Sequence, residues 1–225
     1  MLKRLERWFK LRFLIMYPLG ALLLIFAVPD DKSLIRGIGF ISAGLLLRVW
    51  ANGYAIKMDK LTTSGPYAFI RHPLYLGSAL VLTGVLVMLK VFYLVFLFLF
   101  LFMMVYRRTI RKEEMMLQEK FKEDYLDYKK NVPAFFPALR AYKKGEKWPF
   151  SFSRLIRSQE YKLFIWVIVL VIVFHLKDEF INEQEKLNVR IVSLIAAAFL
   201  LGCVDLVIEY IKKRLEVGAG KGKVS

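Results

Sequence analysis

Residues 74–106 of the chain read LYLGSALVLTGVLVMLKVFYLVFLFLFLFMMVY, and Lys90 is the only charged residue among them. As a single helix this stretch would be ~50 Å long, whereas the hydrocarbon core of a bilayer is ~30 Å thick. Two antiparallel arms of ~24 Å each, turning near Lys90, fit the bilayer better. The stretch therefore predicts a short helical hairpin in the membrane.

Other long apolar runs stand on both sides of this hairpin. They cover residues 13–28 and 34–54 before it and residues 162–176 and 189–211 after it. Such runs are typical of membrane spans, where a helix satisfies every backbone polar group. We therefore predict an all-α integral membrane protein with about six transmembrane helices, including the short hairpin. Three glycines of the second run favour close helix contact: Gly37, Gly39 and Gly44.

The charge distribution gives these helices an orientation. The chain is 57% hydrophobic, yet its formal net charge is +16. The basic residues cluster before residue 13, in 57–71, in 107–157 and after 211, all on one side of the predicted helices. This bias predicts a multi-pass protein with both termini cytoplasmic. It also indicates a cationic membrane face, with the bilayer and not nucleic acid as the partner.

Residues 107–130 are charged, but apolar and aromatic residues recur among them at three- and four-residue spacings: Met115, Met116, Phe121, Tyr125 and Tyr128. The pattern predicts a cytoplasmic amphipathic helix that ends before Pro133. The predicted organisation is a membrane core (1–137, with the motifs in 48–137), a basic cytoplasmic connector (138–160), a further helix pair (161–211) and a flexible basic tail (212–225). With one cysteine and two histidines, the sequence predicts neither an internal disulfide nor a Cys/His zinc site.

The most informative motif is residues 61–77, LTTSGPYAFIRHPLYLG, which opens the hairpin. Residues 64–67 form a turn signal, and Pro73 suits the first turn of a helix. Arg71 and His72 then lie at a helix N-terminus, where free backbone N–H groups favour a carboxylate or phosphate. The alternative is that they only anchor the chain at the membrane interface.

A second cluster, Glu113 and Glu114, lies just beyond the hairpin. If the hairpin folds back, this acidic pair returns to the membrane face that carries His72. A carboxylate at that position can accept hydrogen bonds from ribose hydroxyls. The alternative is a solvated charge run with ion pairs along the helix.

Together these residues resemble the isoprenylcysteine carboxyl methyltransferase family and, more loosely, the membrane phospholipid N-methyltransferases. The resemblance covers about residues 48–137. It rests on Gly65-Pro66-Tyr67, Arg71-His72-Pro73 with Tyr75 and Gly77, Glu113-Glu114, and the later Phe121, Tyr125, Tyr128, Val132-Pro133 and Pro137. It implies an integral membrane methyltransferase that uses S-adenosyl-L-methionine at the cytoplasmic face. The implied substrate is lipid or lipidated, with a prenylated cysteine carboxylate as the first candidate.

The resemblance also implies residue roles. The implied cofactor-binding residues are Asn52, Asp59, Lys60, Leu61, Thr62, Tyr67, Arg71, His72, Pro73, Leu74, Tyr75, Glu113 and Glu114. The family places a substrate-contacting arginine four residues before the first glutamate, where this chain has Thr109. The neighbouring Arg108 and Arg111 are therefore the catalytic candidates for orienting the acceptor.

Other functions stay open from the sequence. A phospholipid N-methyltransferase would carry out the same transfer on an amine. Sterol-type membrane reductases that bind NADPH have a related Arg-x-His-Pro-x-Tyr-x-Gly pattern, although the resemblance places it near the C-terminus of a longer chain. A non-catalytic protein that keeps the fold is the remaining alternative.

Overall fold

The computed structural model describes residues 30–56 and 60–181, with side chains described up to residue 177. These residues form five α-helices: α1 (Asp31–Tyr54), α2 (Pro73–Met88), α3 (Val95–Asn131), α4 (Phe152–Ser158) and α5 (Tyr161–Ile181). Short 3-10 turns occupy Gly65–Ala68 and Phe92–Leu94. No strand occurs in this part of the chain, which agrees with the predicted all-α class. The chain divides into two compact units, residues 1–158 and 159–225.

The number of membrane-crossing helices differs from the sequence expectation. Among the described residues, α1 and the helix that covers Phe92–Asn131 are long and apolar enough to cross a bilayer. A third span exists if Phe152–Ser158 and Tyr161–Lys177 together make one broken span. The 16-residue α2 is apolar but shorter. The predicted spans at 13–28 and 189–211 lie outside the described residues, so the total of about six is not confirmed.

Helices α1 and α2 pack through paired glycines. A Cβ added to Gly37 would lie 2.6 Å from the Gly84 carbonyl oxygen, and one added to Gly84 would lie 2.7 Å from the Gly37 oxygen. Gly44 and Gly77 repeat the relationship at 2.6 and 2.9 Å. The missing side chains let the two backbones approach closely, as apolar helices in lipid require. The expectation for Gly37 and Gly44 is confirmed, whereas Gly39 has nothing within 4 Å of an added Cβ.

The hairpin turns where its length predicted. Helix α2 ends at Met88, and Lys90 takes a left-handed φ of 59°. Lys90 Nζ lies 2.8 Å from Asp30 Oδ2 at the start of α1, and this contact lowers the pKa of Asp30 to about 2. Ser33 Oγ donates to the Met88 carbonyl oxygen at 2.9 Å. The turn is thus pinned to the first turn of α1.

The predicted amphipathic helix is not a separate element. Residues 107–130 continue the second hairpin arm within α3, and only Lys122 interrupts the helix, with φ 44° and ψ −117°. Tyr125 and Tyr128 after this break are buried, but Met115 and Met116 before it are 55% and 48% exposed. The non-helical backbone changes the face of the helix on which later residues lie. The apolar residues spaced along 107–130 therefore do not form one continuous stripe.

Residues 133–151, here called the strap, run back across the loop that precedes α2. The backbone N–H groups of Ala138 and Tyr142 donate to the carbonyl oxygens of Phe69 and Ala68, each at 2.8 Å. The indole of Trp148 donates to the Tyr54 carbonyl oxygen at 2.9 Å. The strap includes most of the segment predicted as a connector, and these bonds fix it against the motif-bearing residues.

Candidate active site

Three cationic or basic side chains converge on the Glu114 carboxylate. Arg71 Nη1 and His72 Nε2 contact Oε1, the latter at 3.2 Å, and Lys129 Nζ lies 2.9 Å from Oε2. The side chains of Glu114, Arg71 and His72 are only 16%, 12% and 7% exposed. The hairpin therefore brings the imidazole and the acidic pair together, and this part of the prediction is confirmed.

The neighbouring Glu113 holds the other end of the turn formed by residues 72–75. Tyr75 Oη donates to Glu113 Oε1 at 3.0 Å. The Tyr75 ring also packs against Tyr106, with 5.2 Å between ring centroids, and against His72 at 5.8 Å. One carboxylate thus fixes each end of the turn formed by residues 72–75.

Burial decides the protonation state of His72. Loss of hydration lowers its pKa from the ordinary value of 6.5, although the Glu114 carboxylate opposes this shift. The imidazole is therefore neutral at neutral pH. A carboxylate can only accept, so Nε2 carries the hydrogen and donates to Glu114. The Nδ1 atom is then left as the acceptor of the ring.

The strap bonds to the backbone just before α2. Arg71 N–H donates to the Pro133 oxygen at 2.9 Å, and His72 N–H donates to the Ala134 oxygen at 3.2 Å. These two N–H groups, which directly precede the first residue of α2, are therefore bonded within the chain, and anion binding at the start of α2 stays a prediction. Glu114 likewise has charged partners on both of its oxygens.

Asn52 reaches the turn through Arg48. The buried Asn52 amide donates from Nδ2 to the Arg48 carbonyl oxygen at 2.9 Å. Arg48 Nη1 in turn donates to the Leu74 carbonyl oxygen at 3.1 Å and to Ser78 Oγ at 2.5 Å. Gly77 makes this possible, since an added Cβ would lie 2.5 Å from Arg48 Cγ. The last turn of α1 therefore supports the residues that present His72 and Tyr75.

The loop predicted to bind the cofactor lies beside an open cavity of about 750 Å³. Lys60 and Leu61 line it, together with Phe121, Tyr142 and Glu146. Thr62 instead bonds within its own loop, accepting from Ile56 N–H at 3.1 Å. Asp59 lies outside the described residues. The predicted cofactor-binding set is thus divided between this cavity and the Glu114 cluster.

Tyr67 connects these two places. Its carbonyl oxygen accepts a 2.7 Å hydrogen bond from Tyr128 Oη. Tyr128 is buried with Tyr125 and Val132, and Leu61, Phe121 and Tyr142 pack against that core. An aromatic layer therefore contacts both the cavity and the 65–68 turn.

The two catalytic candidates lie apart from the cluster. Arg108 and Arg111 are exposed on α3, where Arg108 lies one to two turns before Glu113 and Glu114 and Arg111 lies less than one turn before them. At about 100° per residue, Arg108 points roughly 140° away from Glu113 on an α-helix. The structure does not bring either guanidinium to the Glu114 carboxylate, and their catalytic role stays a prediction.

Two buried polar atoms in this part of the structure have no hydrogen-bond partner among the described residues. They are Arg71 Nε and Tyr125 Oη. Buried polar groups are nearly always paired in folded proteins. Burial raises the pKa of Tyr125 and a hydrogen-bonding interaction with Arg71 opposes that shift, so these two side chains lie close together beside the charged cluster. The donor character of both atoms suits a carboxylate or hydroxyl group.

Sequence reasoning missed several of these contacts. Lys129 completes the Glu114 cluster, but one lysine in a basic helix has no distinguishing pattern. Arg48 was visible as a charged residue inside an apolar run, which is itself a signal for a partnered or functional group. Among the described residues, no group of three or more His, Cys, Asp or Glu side chains could hold a metal ion.

The described chain is a helical membrane protein whose buried polar cluster lies at the entrance of a short apolar hairpin. Residues 31–124 match the phospholipid methyltransferase family model. The chain is 32% identical over 134 residues to the cobalt-zinc-cadmium resistance protein CzcN of Cupriavidus metallidurans, covering 57% of this chain and 62% of that protein. It is 31% identical over 126 residues to protein-S-isoprenylcysteine O-methyltransferase of Rattus norvegicus, covering 56% and 43%.

The Homo sapiens protein-S-isoprenylcysteine O-methyltransferase is 38% identical over 83 residues, or 37% of this chain and 29% of that protein. The chain thus spans less than two thirds of the length of each of these relatives. No solved structure matches the chain. The family resemblance predicted from the motif residues is confirmed by these matches.

Proposed function

We propose that this protein is an S-adenosylmethionine-dependent integral membrane methyltransferase that acts on a lipid-like acceptor at the cytoplasmic face. The observation that carries the proposal is the fixed turn of residues 72–75, held by Glu113 and Glu114 from beyond the hairpin. The family match of residues 31–124 supports the reaction class. The basic loops around the site support the cytoplasmic orientation.

The reaction makes modest demands on the protein. When bound, S-adenosylmethionine supplies an electrophilic methyl group on a good leaving group. The chain must therefore align the reactants and exclude water, and it needs no covalent intermediate. A largely buried cluster that ends in a neutral imidazole is suited to that role. The residues that would hold the cofactor are His72, Tyr75, Glu113 and the 60–62 loop, with Arg71 Nε and Tyr125 Oη as further donors.

The acceptor is proposed to be a prenylated cysteine carboxylate or a similar lipid-like group. A carboxylate is already nucleophilic at neutral pH and needs only a cation to orient it. Lipid would enter from the apolar surface of α3, where Phe96 and Phe100 are 84% and 62% exposed. A tail lying on that surface would bring its polar head toward the end of the hairpin that carries Glu113.

A phospholipid amine is the second candidate acceptor, favoured by the description of the matching family. An amine must lose a proton before or during transfer. Neutral His72 has an unprotonated Nδ1 and is the base that this site offers. The two acceptors therefore differ in whether the His72 ring takes part beyond positioning.

Equilibrium binding to the purified full chain tests the proposal. We expect saturable binding of S-adenosylmethionine that weakens at least several-fold in His72→Ala and Glu113→Ala. Glu119→Gln is the matched control, because Glu119 is exposed on the same helix as Glu113. Binding of NADPH in place of S-adenosylmethionine would instead support a reductase.

Transfer of a radiolabelled methyl group then separates the acceptors. A farnesylated cysteine and a phosphatidylethanolamine should be offered to the same preparation. Labelling of the farnesylated cysteine supports a carboxylate acceptor, and labelling of phosphatidylethanolamine supports an amine acceptor. Cofactor binding without transfer to any lipid extract would contradict the proposed acceptor class.

A further inference from the structure

Residues 136–143 of the strap, FPALRAYK, present large apolar side chains to the outside of the protein. Phe136 is 83% exposed and Leu139 is 102% exposed. An isolated exposed apolar residue is ordinary, but two large ones within four residues form a patch that water solvates poorly. This segment, here called the apolar tip, therefore needs a partner.

The tip is held in place by hydrogen bonds on both sides. Ala138 and Tyr142 donate their backbone N–H groups to Phe69 and Ala68 at 2.8 Å. Tyr142 Oη also donates to Asp127 Oδ2 at 2.7 Å. Phe136 and Leu139 are thus presented outward by a fixed backbone.

Its position is close to the start of the apolar hairpin. The residues just before the tip, Pro133 and Ala134, accept hydrogen bonds from Arg71 and His72, and α2 begins at Pro73. The chain enters its apolar helix at that point, which in a membrane protein marks the boundary of the hydrocarbon core. The tip therefore lies near the level of the lipid headgroups.

The apolar tip also carries positive charge, which suits an anionic surface. Arg140 and Lys143 are exposed beside Leu139, and the whole chain has a net charge of +16. Apolar side chains flanked by cations are typical of segments that enter the interface of an anionic membrane. Long basic side chains can reach headgroup phosphates while their neighbours stay in the acyl region.

We propose that residues 136–143 bind the surface of an anionic lipid bilayer. Phe136 and Leu139 enter the boundary between headgroups and acyl chains, and Arg140 and Lys143 bind the anionic headgroups. Because the strap bonds directly to Arg71 and His72, this contact also fixes the site relative to the lipid surface. The inference depends on the membrane location of the chain and not on the proposed methyl transfer.

Spin labelling of the full chain in bilayers tests the insertion. Labels are placed by Leu139→Cys and by Glu119→Cys, each in a Cys203→Ser background, with position 119 as the exposed control on α3. At position 139 we expect collisions with oxygen to exceed those with a water-soluble nickel complex, and the reverse at position 119. Access to the nickel complex at position 139 would overturn the proposal. Low access to both reagents would also overturn it, since another protein surface would then cover the tip.

A second experiment varies the charge of the lipid. The oxygen preference at position 139 should be several-fold stronger in bilayers that contain phosphatidylglycerol than in phosphatidylcholine alone. The double change Arg140→Gln and Lys143→Gln should remove that difference. Lys144→Gln should keep it, because Lys144 already pairs with Asp127 at 3.0 Å. Equal insertion in both lipids would refute the anionic headgroup contact. None of these readouts uses methyl transfer, so they can succeed or fail independently of the proposed function.

Discussion

The His72 imidazole lies 3.2 Å from the Glu114 carboxylate, although 42 residues separate them in the chain. The hairpin between them accounts for this contact, since it leaves the membrane face and returns to it. The same carboxylate also holds Arg71 and Lys129. One acidic side chain therefore joins the entrance of α2 to the region beyond the break in α3.

Replacing this carboxylate should destabilise the protein. Glu114→Gln leaves the partly buried Arg71 guanidinium without its charged partner, so the free energy of unfolding should fall by up to ~3 kcal/mol. Thermal unfolding in detergent measures the effect. Glu119→Gln, at an exposed position of the same helix, should change it by less than ~0.5 kcal/mol. Equal effects would show that the cluster contributes little to stability.

The stability of the folded chain should depend on His72 at mildly acid pH. Burial places the folded pKa of His72 below 6.5, so the unfolded chain binds more protons as the pH falls below that value. The His72 contribution is therefore fully present above about pH 6.5 and is lost as the pH falls toward the folded pKa. The melting temperature should drop between about pH 7 and pH 5, and it should drop less in His72→Gln. The same slope in both proteins would contradict this assignment.

The glycine pairs between α1 and α2 should not accept a methyl group. Gly44→Ala and Gly84→Ala each place a Cβ within 2.6 to 2.7 Å of a backbone oxygen, and overpacking of this kind costs about 1–3 kcal/mol. Gly39→Ala should instead be neutral or stabilising by up to ~1 kcal/mol, because alanine favours the helix and nothing lies nearby. Unfolding in detergent should show a loss of stability in Gly44→Ala and Gly84→Ala and no loss in Gly39→Ala.

The strap should contribute measurably to the free energy of unfolding. Trp148→Phe removes the indole N–H that donates to the Tyr54 oxygen, and a lost hydrogen bond of this type lowers stability by ~1 kcal/mol. Trp50→Phe is the control, because Trp50 is 43% exposed on α1. Hydrogen exchange at Ala138 and Tyr142 should quicken in the first variant only. Unchanged protection of those amides would mean that the strap is held without Trp148.

Part of this architecture followed from the sequence. The apolar length of residues 74–106 exceeds one bilayer crossing, so a turn near Lys90 was required, and Lys90 has the left-handed backbone of that turn. The meeting of His72 with the acidic pair followed from the same argument. Gly37 and Gly44 were recognisable as contact positions because small residues let apolar helices approach each other, but Gly39 fits the same pattern and has no neighbour within 4 Å of an added Cβ.

Other features could not be read from local patterns. Arg108 and Arg111 stand near Glu113 in sequence, but helix geometry leaves both exposed. The single non-helical residue Lys122 changed the buried face of α3, which spacing alone could not show. The strap looked only like a basic connector because many of its bonds are made by backbone groups, which every residue carries.

The sequence by itself determined that this chain is helical and apolar enough to enter a membrane, and it singled out residues 61–77 and 113–114 as the candidate site. Those properties depend on apolar length, charge bias and residue type, which are local quantities. Only the tertiary structure decided which donors meet Glu114, that the strap closes over Arg71 and His72, and which arginines stay outside. Those outcomes depend on contacts between residues far apart in the chain, and short-range sequence patterns do not encode such distances.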